Sequence, residues 1–238
     1  MHAYANPARF LRLARWLTPL ATLSGLIIAA LALGWGLFVA PAEGLQGETV
    51  RIVYIHVPTA WLGMGGGTGL AIACLCELVW RHPLAALAAR AIAVPGATFT
   101  AICLATGSLW GRPAWGTWWV WDGRLTSMLV LLFLYFAYMA LAEASKESPG
   151  GARIAAIFGL VGAVNIPIIH YSVIWWNSLH QPPSISIGKS AMASDFLVPM
   201  MVSLLGFSLI FAGVVLMRMR TILAEMQAEA RLKRMAAA

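Results

Sequence analysis

Apolar residues in this chain come in long blocks, with no alternation at the helical or the strand period. Residues 18–40, 58–80, 91–109, 125–142, 154–174 and 196–217 are nearly free of charge. Each block is close to the ~20 residues that cross the hydrocarbon core of a bilayer. A lipid-exposed segment must satisfy its own backbone, which helices do and open strands do not. The pattern therefore predicts an all-α polytopic membrane protein, a six-transmembrane-helix bundle forming a single membrane domain over residues 1–238. The basic start, the first block and Ala40-Pro41-Ala42 imitate a signal peptide, but the apolar core is too long, so a retained first span is expected. Residues 1–17, with Arg9, Arg12 and Arg15, read as a surface-lying amphipathic arm, and the tail after Arg218 as a charged helix.

Composition agrees with the blocks. Hydrophobic residues make up 61% of the chain and charged residues 11%, and the mean hydropathy is +0.80. Water-soluble chains carry about a quarter charged residues, so a soluble domain is excluded. The net charge of +7 would fit nucleic acid, but its distribution points elsewhere. With a cytoplasmic N-terminus, the inner segments hold Arg9, Arg12, Arg15, Arg81, Arg90, Lys146, Arg153, Arg218, Arg220, Arg231, Lys233 and Arg234, whereas the outer loops hold only Arg51, Arg112, Arg124 and Lys189. That is a positive-inside bias. Both termini are then cytoplasmic, and His56, the segment 110–124 and His180 share the outer face.

The segment 110–124 is unusual. Trp110, Trp115, Trp118, Trp119 and Trp121 fall within it, interrupted by Gly111, Pro113 and Gly116 and followed by Asp122 and Arg124. Two readings stand side by side: an aromatic belt at the headgroups, or an indole-lined platform for a large flat ligand. Glycines 63, 65, 66, 67 and 69 in the second block favour close helix packing, with room for a bulky cofactor as the lesser alternative. Cys74, Cys76 and Cys103 lie inside apolar blocks and read as buried packing residues.

Two outer histidines beside indoles raise the question of a metal. Zinc wants four ligands, and no outer Cys or carboxylate cluster supplies the rest. Iron in a porphyrin needs axial ligands only. His56 and His180, the tryptophans, and Arg124 or Arg112 for the propionates make a consistent set for haem; ordinary hydrogen-bonded histidines are the plain alternative. His2 and His82 fall on the inner side. His170, in the fifth block, is the competitor, since an ionisable residue within a membrane is a functional candidate; a hydrogen bond to another helix is the favoured role for it. Asp122 reads as a cap for the helix near Leu125 or as the partner of an Arg. No Ser-His-Asp pattern, paired outer carboxylates or phosphate loop is present in the sequence, so the chain carries no ATPase of its own.

The run Trp115-Gly116-Thr117-Trp118-Trp119-Val120-Trp121-Asp122-Gly123-Arg124-Leu125-Thr126-Ser127 closely resembles the tryptophan-rich WWD signature of haem-handling proteins of cytochrome c biogenesis. Within that group the six-span length is similar to the CcmC family of bacterial system I. Tyr54-Ile55-His56-Val57-Pro58 and Trp175-Trp176-Asn177-Ser178-Leu179-His180-Gln181 also resemble that family's outer segments around its two functional histidines. The resemblance implies an inner-membrane protein that holds haem b at the periplasmic face. His56 and His180 would be axial ligands, and Trp110, Trp115, Trp118, Trp119, Trp121, Asp122 and Arg124 would contact haem. It further implies presentation of haem to the chaperone CcmE, in association with the ABC-type subunits CcmA and CcmB and the small subunit CcmD. Such a protein assists covalent attachment by positioning and is not an enzyme in the ordinary sense. Two alternatives differ in class: a haem-conducting permease subunit, which the nearly apolar spans disfavour, and an intramembrane haem or quinone electron carrier, which would want a second histidine beside His170 at membrane depth.

Overall fold

A computed structural model describes residues 6–176, 178–180, 185–186 and 189–237. Among the described residues there are seven α-helices: α1 (Pro7–Phe38), α2 (Val53–Trp80), α3 (Ala85–Trp115), α4 (Gly123–Ala144), α5 (Gly151–Gly162), α6 (Asn165–Trp175) and α7 (Ser194–Ala236). A 3₁₀ turn, Glu48–Ile52, leads into α2. The stretch before α7 carries a two-residue antiparallel pair, β1 (Ile185–Ser186) with β2 (Lys189–Ser190). Six units are long and apolar enough to cross a membrane, α5 and α6 together making the fifth. The all-helical, six-span expectation holds.

Several boundaries differ from the sequence expectation, four of them for a clear local reason. The basic arm is no separate surface turn. Asn6 accepts a hydrogen bond from the Ala8 N–H at 2.8 Å and Pro7 takes the first helical position, so α1 starts there and runs through Arg9, Arg12 and Arg15. The basic tail is likewise continuous with the sixth span: α7 has 43 residues, about 64 Å of helix at 1.5 Å per residue. The fifth span is broken at residues 163–164. Pro167 has no N–H for the Ala163 carbonyl, which accepts instead from Ile166 at 3.0 Å. Asn165 Nδ2 then donates to the Ser127 carbonyl at 2.8 Å, tying the start of α6 to α4. Finally, the segment 110–124 is loop only over residues 116–122, because α3 continues to Trp115 and α4 starts at Gly123.

Small residues set the packing. A Cβ on Gly206 of α7 would lie 2.5 Å from the Ala29 backbone nitrogen of α1, and one on Gly25 would lie 2.7 Å from the Ile210 nitrogen. The two backbones therefore touch, the form of packing open to helices in lipid. In α2, Gly63 faces Thr100 and Gly66 faces Tyr135, and Tyr135 Oη donates to the Gly63 carbonyl at 2.7 Å. Gly63, Gly66 and Gly67 of α2 serve close packing, as expected, whereas a Cβ on Gly65 would meet nothing within 4 Å. Cys74 and Cys103 are buried, as expected, and Cys76 is half-buried.

The two ends of the bundle are chemically distinct. At one end Arg90 of α3 meets Glu143 of α4 at 2.8 Å, and Lys146 meets Glu229 of α7 at 3.3 Å. Phe10, Leu84, Leu87, Met219 and Leu223 pack at that same end. At the opposite end Val53, Tyr54 and Met200 form a cluster with Trp110 and Phe196 against it, and Ser203 Oγ donates to the Tyr54 carbonyl at 2.6 Å. The candidate residues gather at this second end.

Candidate functional site

His56 lies in the first turn of α2 rather than in a loop. Its partners come from α3. Nδ1 is 3.1 Å from the Cys103 carbonyl oxygen and 3.1 Å from Thr106 Oγ1. A carbonyl only accepts, so Nδ1 carries the proton, and in the neutral ring Nε2 holds the lone pair. The Thr106 hydroxyl spends its own proton on the Ile102 carbonyl, at 2.7 Å, and receives from His56. The Trp110 ring meets the imidazole edge-on with centroids 5.6 Å apart, and its Nε1 donates to Gln46 Oε1 at 2.8 Å. Gln46 is held in turn by its N–H to Glu43 Oε2 at 2.7 Å.

His180 is held by a different device with the same result. Its Nδ1 lies 2.8 Å from Asp122 Oδ2. The other oxygen, Oδ1, accepts from the Leu125 N–H at 2.8 Å and so caps α4. Ser178 donates its hydroxyl to Oδ2 and receives the His180 N–H at 3.1 Å. The Trp115 ring stands edge-on to the imidazole, centroids 4.7 Å apart. Asp122 is therefore a cap, as one reading had it, while its side-chain partner is a histidine and not an arginine.

Electrostatics fix the protonation of this pair. Burial pushes His180 below the usual imidazole value; Asp122 pulls the other way, and Arg124 adds to the depression. For Asp122, burial opposes ionisation, but hydrogen bonds from Ser178, Leu125 and His180 outweigh it and hold the carboxyl below its ordinary range. The pair is thus a carboxylate accepting from a neutral imidazole. Nδ1–H donates, and Nε2 keeps its lone pair. Neither Nε2 makes a hydrogen bond among the described residues.

The indoles do not form one flat shelf. Trp110 and Trp115, on the last turns of α3, each flank one histidine. Trp119 meets Trp121 edge-on at 5.4 Å, while Trp118 and Trp121 are exposed. Trp119 Nε1 is buried without a partner among the described residues, and so is Arg124 Nε. The two arginines separate clearly. Arg112 is exposed and donates to the Gly116 carbonyl, closing the C-terminus of α3. Arg124 is half-buried in the first turn of α4, with one terminal nitrogen 3.5 Å from the His170 carbonyl.

His170 sits apart. Its ring is exposed on α6 and contacts Tyr171 edge-on at 4.8 Å. The expected cross-helix hydrogen bond from this side chain is not formed among the described residues; the backbone carbonyl makes the link to α4 instead. His2, Asn177 and Gln181 lie outside the described residues. Sequence reading missed Thr106, Ser178 and Gln46 as supports. Ser178 had a local signal, a hydroxyl two residues before His180, whereas Thr106 lies fifty residues from His56 and had none.

The fold and this end-on cluster define a multi-pass helical membrane protein presenting two oriented, neutral imidazoles at one end. A family model described as CcmC, Heme exporter protein C, matches residues 1–234. The chain is 48% identical over 217 residues to Heme exporter protein C of Bradyrhizobium diazoefficiens, covering 91% of this chain and 82% of that one. It is 45% identical over 230 residues to the Escherichia coli protein of the same name (95% and 92%) and 39% identical over 220 residues to that of Rhodobacter capsulatus (92% and 91%). The chain belongs to the CcmC family.

Proposed function

We propose that this protein holds haem b as cargo at its periplasmic end, with His56 and His180 as the axial ligands, and presents it to the chaperone CcmE. The observation that carries the reading is the matched state of the two imidazoles: each has Nδ1–H tied to a protein acceptor and Nε2 unengaged. Metal-bound histidines characteristically donate their other N–H to a carbonyl or carboxylate, which fixes the ring and strengthens it as a ligand. Among the described residues no cluster of three or more His, Cys, Asp or Glu would hold a bare ion, whereas a porphyrin asks the protein for axial ligands only.

The remaining residues fit the same cargo. Arg124, with a buried nitrogen lacking a partner, is suited to a propionate, since a guanidinium binds a carboxylate in bidentate fashion. Trp110 and Trp115 border the ligands, and Trp118, Trp119 and Trp121 offer indole surface to the macrocycle and to the chaperone. With Trp118 and Trp121 exposed, one edge of the cargo stays open to a second protein. Filled axial positions limit oxygen chemistry until handover. The protein positions haem for covalent attachment to CcmE and works beside CcmA, CcmB and CcmD. The charge bias supports a topology with the basic end in the cytoplasm and the site in the periplasm of the bacterial inner membrane.

The test is an absorption spectrum of the purified protein. Low-spin, six-coordinate haem is expected, with His56→Ala and His180→Ala each removing most of it and His170→Ala leaving it in place. Equal loss from His170→Ala would favour an intramembrane carrier instead. A reporter fused after residue 180 should read as periplasmic; a cytoplasmic signal would overturn the topology.

A further inference from the structure

His56 rests on a part of α3 that looks shaped for it. The three atoms nearest to a Cβ on Gly107 would all belong to the imidazole: Cε1 at 3.0 Å, Nδ1 at 3.5 Å and Nε2 at 3.9 Å. Ordinary side-chain contacts are wider than the first of these, so the ring would have to move. One residue earlier, Thr106 Oγ1 gives Nδ1–H its second acceptor at 3.1 Å, and the first is the Cys103 carbonyl one turn back. The hydroxyl is locked in this role, because its own proton goes to the Ile102 carbonyl. On the far side Trp110 closes the arrangement edge-on. Acceptor, floor and wall thus come from one face of a single helix, at positions 103, 106, 107 and 110.

We propose that Thr106 and Gly107 are positioning residues for His56, Thr106 giving Nδ1–H its second acceptor and Gly107 leaving room for the ring. The inference rests on the reading of His56 as an axial ligand. Physically the two residues do different things. An acceptor on Nδ1–H makes the imidazole a stronger donor and so favours ferric iron. The missing side chain at 107 sets distance. Alanine in mid-helix is otherwise preferred over glycine, so a loss caused by Gly107→Ala comes from the histidine and not from the helix.

The experiment uses the full-length protein purified with its haem. Gly107→Ala is expected to convert six-coordinate low-spin haem to a five-coordinate high-spin species still held by His180, with added free imidazole restoring the low-spin spectrum. Gly65→Ala, where a Cβ meets nothing within 4 Å, is expected to leave the spectrum unchanged. Thr106→Val is expected to weaken haem binding about tenfold, the lower range for loss of such a support, and to raise the reduction potential; Thr106→Ser returns both. Should Gly107→Ala fail to fold, the Thr106 pair decides alone. If His56→Ala retains low-spin haem, the ligand reading itself falls. If His56→Ala loses it while Gly107→Ala and Thr106→Val match the parent in spectrum and potential, the seat on α3 is refuted and the ligand reading stands.

Discussion

Asp122 serves two structures with its two oxygens: Oδ1 caps α4 through the Leu125 N–H, and Oδ2 holds His180 Nδ1 at 2.8 Å. The Trp-rich segment is in this way joined to the second histidine, 58 residues further along the chain. The start of a membrane helix and the orientation of an imidazole depend on one carboxylate. A change that separates the two duties would reveal each.

Asp122→Asn makes that separation. Asparagine caps a helix about as well as aspartate, so α4 should start as before. An amide NH₂ turned toward Nδ1, however, favours the opposite tautomer, with the proton on Nε2 and no lone pair for iron. Haem affinity is expected to fall about 10–100-fold while the melting temperature stays near that of the parent. Asp122→Ala should lose both affinity and about 1 kcal/mol of stability with the cap. Visible spectra and thermal melts of the two variants check this; unchanged haem binding in Asp122→Asn would show that His180 needs no fixed tautomer.

Acid should act on the same pair. The folded state holds His180 below the ordinary value of 6.5, with Asp122, Ser178, Trp115, the charge of Arg124 and the His56 imidazole around it. As pH falls below 6.5 the unfolded chain takes up a proton that the folded one resists, so stability declines from there downward. Asp122, depressed from 3.8, adds stability that is complete above that value and lost as pH falls through its lower folded value. Both signs agree. An NMR titration of haem-free protein should place the His180 midpoint below 6.5, and haem release on acidification should follow it. A midpoint above 6.5 would mean that the carboxylate outweighs burial.

Much of this was legible in the sequence because lipid leaves few choices. Apolar blocks of spanning length gave the number of spans, and their alternation put these loops at a shared end; His56, Trp110, Asp122 and His180 do lie at one end. What escaped was set by contacts between distant residues or by the detail of helix termini. Trp110 and Trp115 looked like loop because Gly111 and Pro113 usually break helices, yet α3 continues through both, and Gly116, with φ of 78°, supplies the left-handed residue that stops it. His56 looked like loop because a short 3₁₀ turn, not a recognisable cap, precedes α2. Asp122 could be read as a cap from its place before Leu125, but nothing local connected it to His180.

Close approach of α1 and α7 gives a prediction about stability alone. Gly206 lies against the Ala29 backbone, with room for no further atom, and the backbone has no rotamer by which to yield. Gly206→Leu should separate the two helices and lower the melting temperature in detergent. The cost should be at or beyond the about 1–3 kcal/mol typical of overpacking. Gly34→Leu, at an open position on α1, should melt like the parent. Equal melting of all three would mean that these helices are held elsewhere.

Arg112 and Arg124 make the last comparison, because sequence alone left them equal as partners for a propionate. Arg112 already closes the end of α3 through the Gly116 carbonyl and faces solvent, whereas Arg124 carries a buried nitrogen with no partner beside the two histidines. A charged hydrogen bond is worth about 1.5–3 kcal/mol, so Arg124→Gln should weaken haem binding by about ten- to a hundredfold. Loss of Arg112 should cost far less. Esterified haem separates the charge from the shape: with both propionates blocked, parent and Arg124→Gln should bind alike. A persistent difference with the diester would assign Arg124 to holding the protein together rather than the cargo.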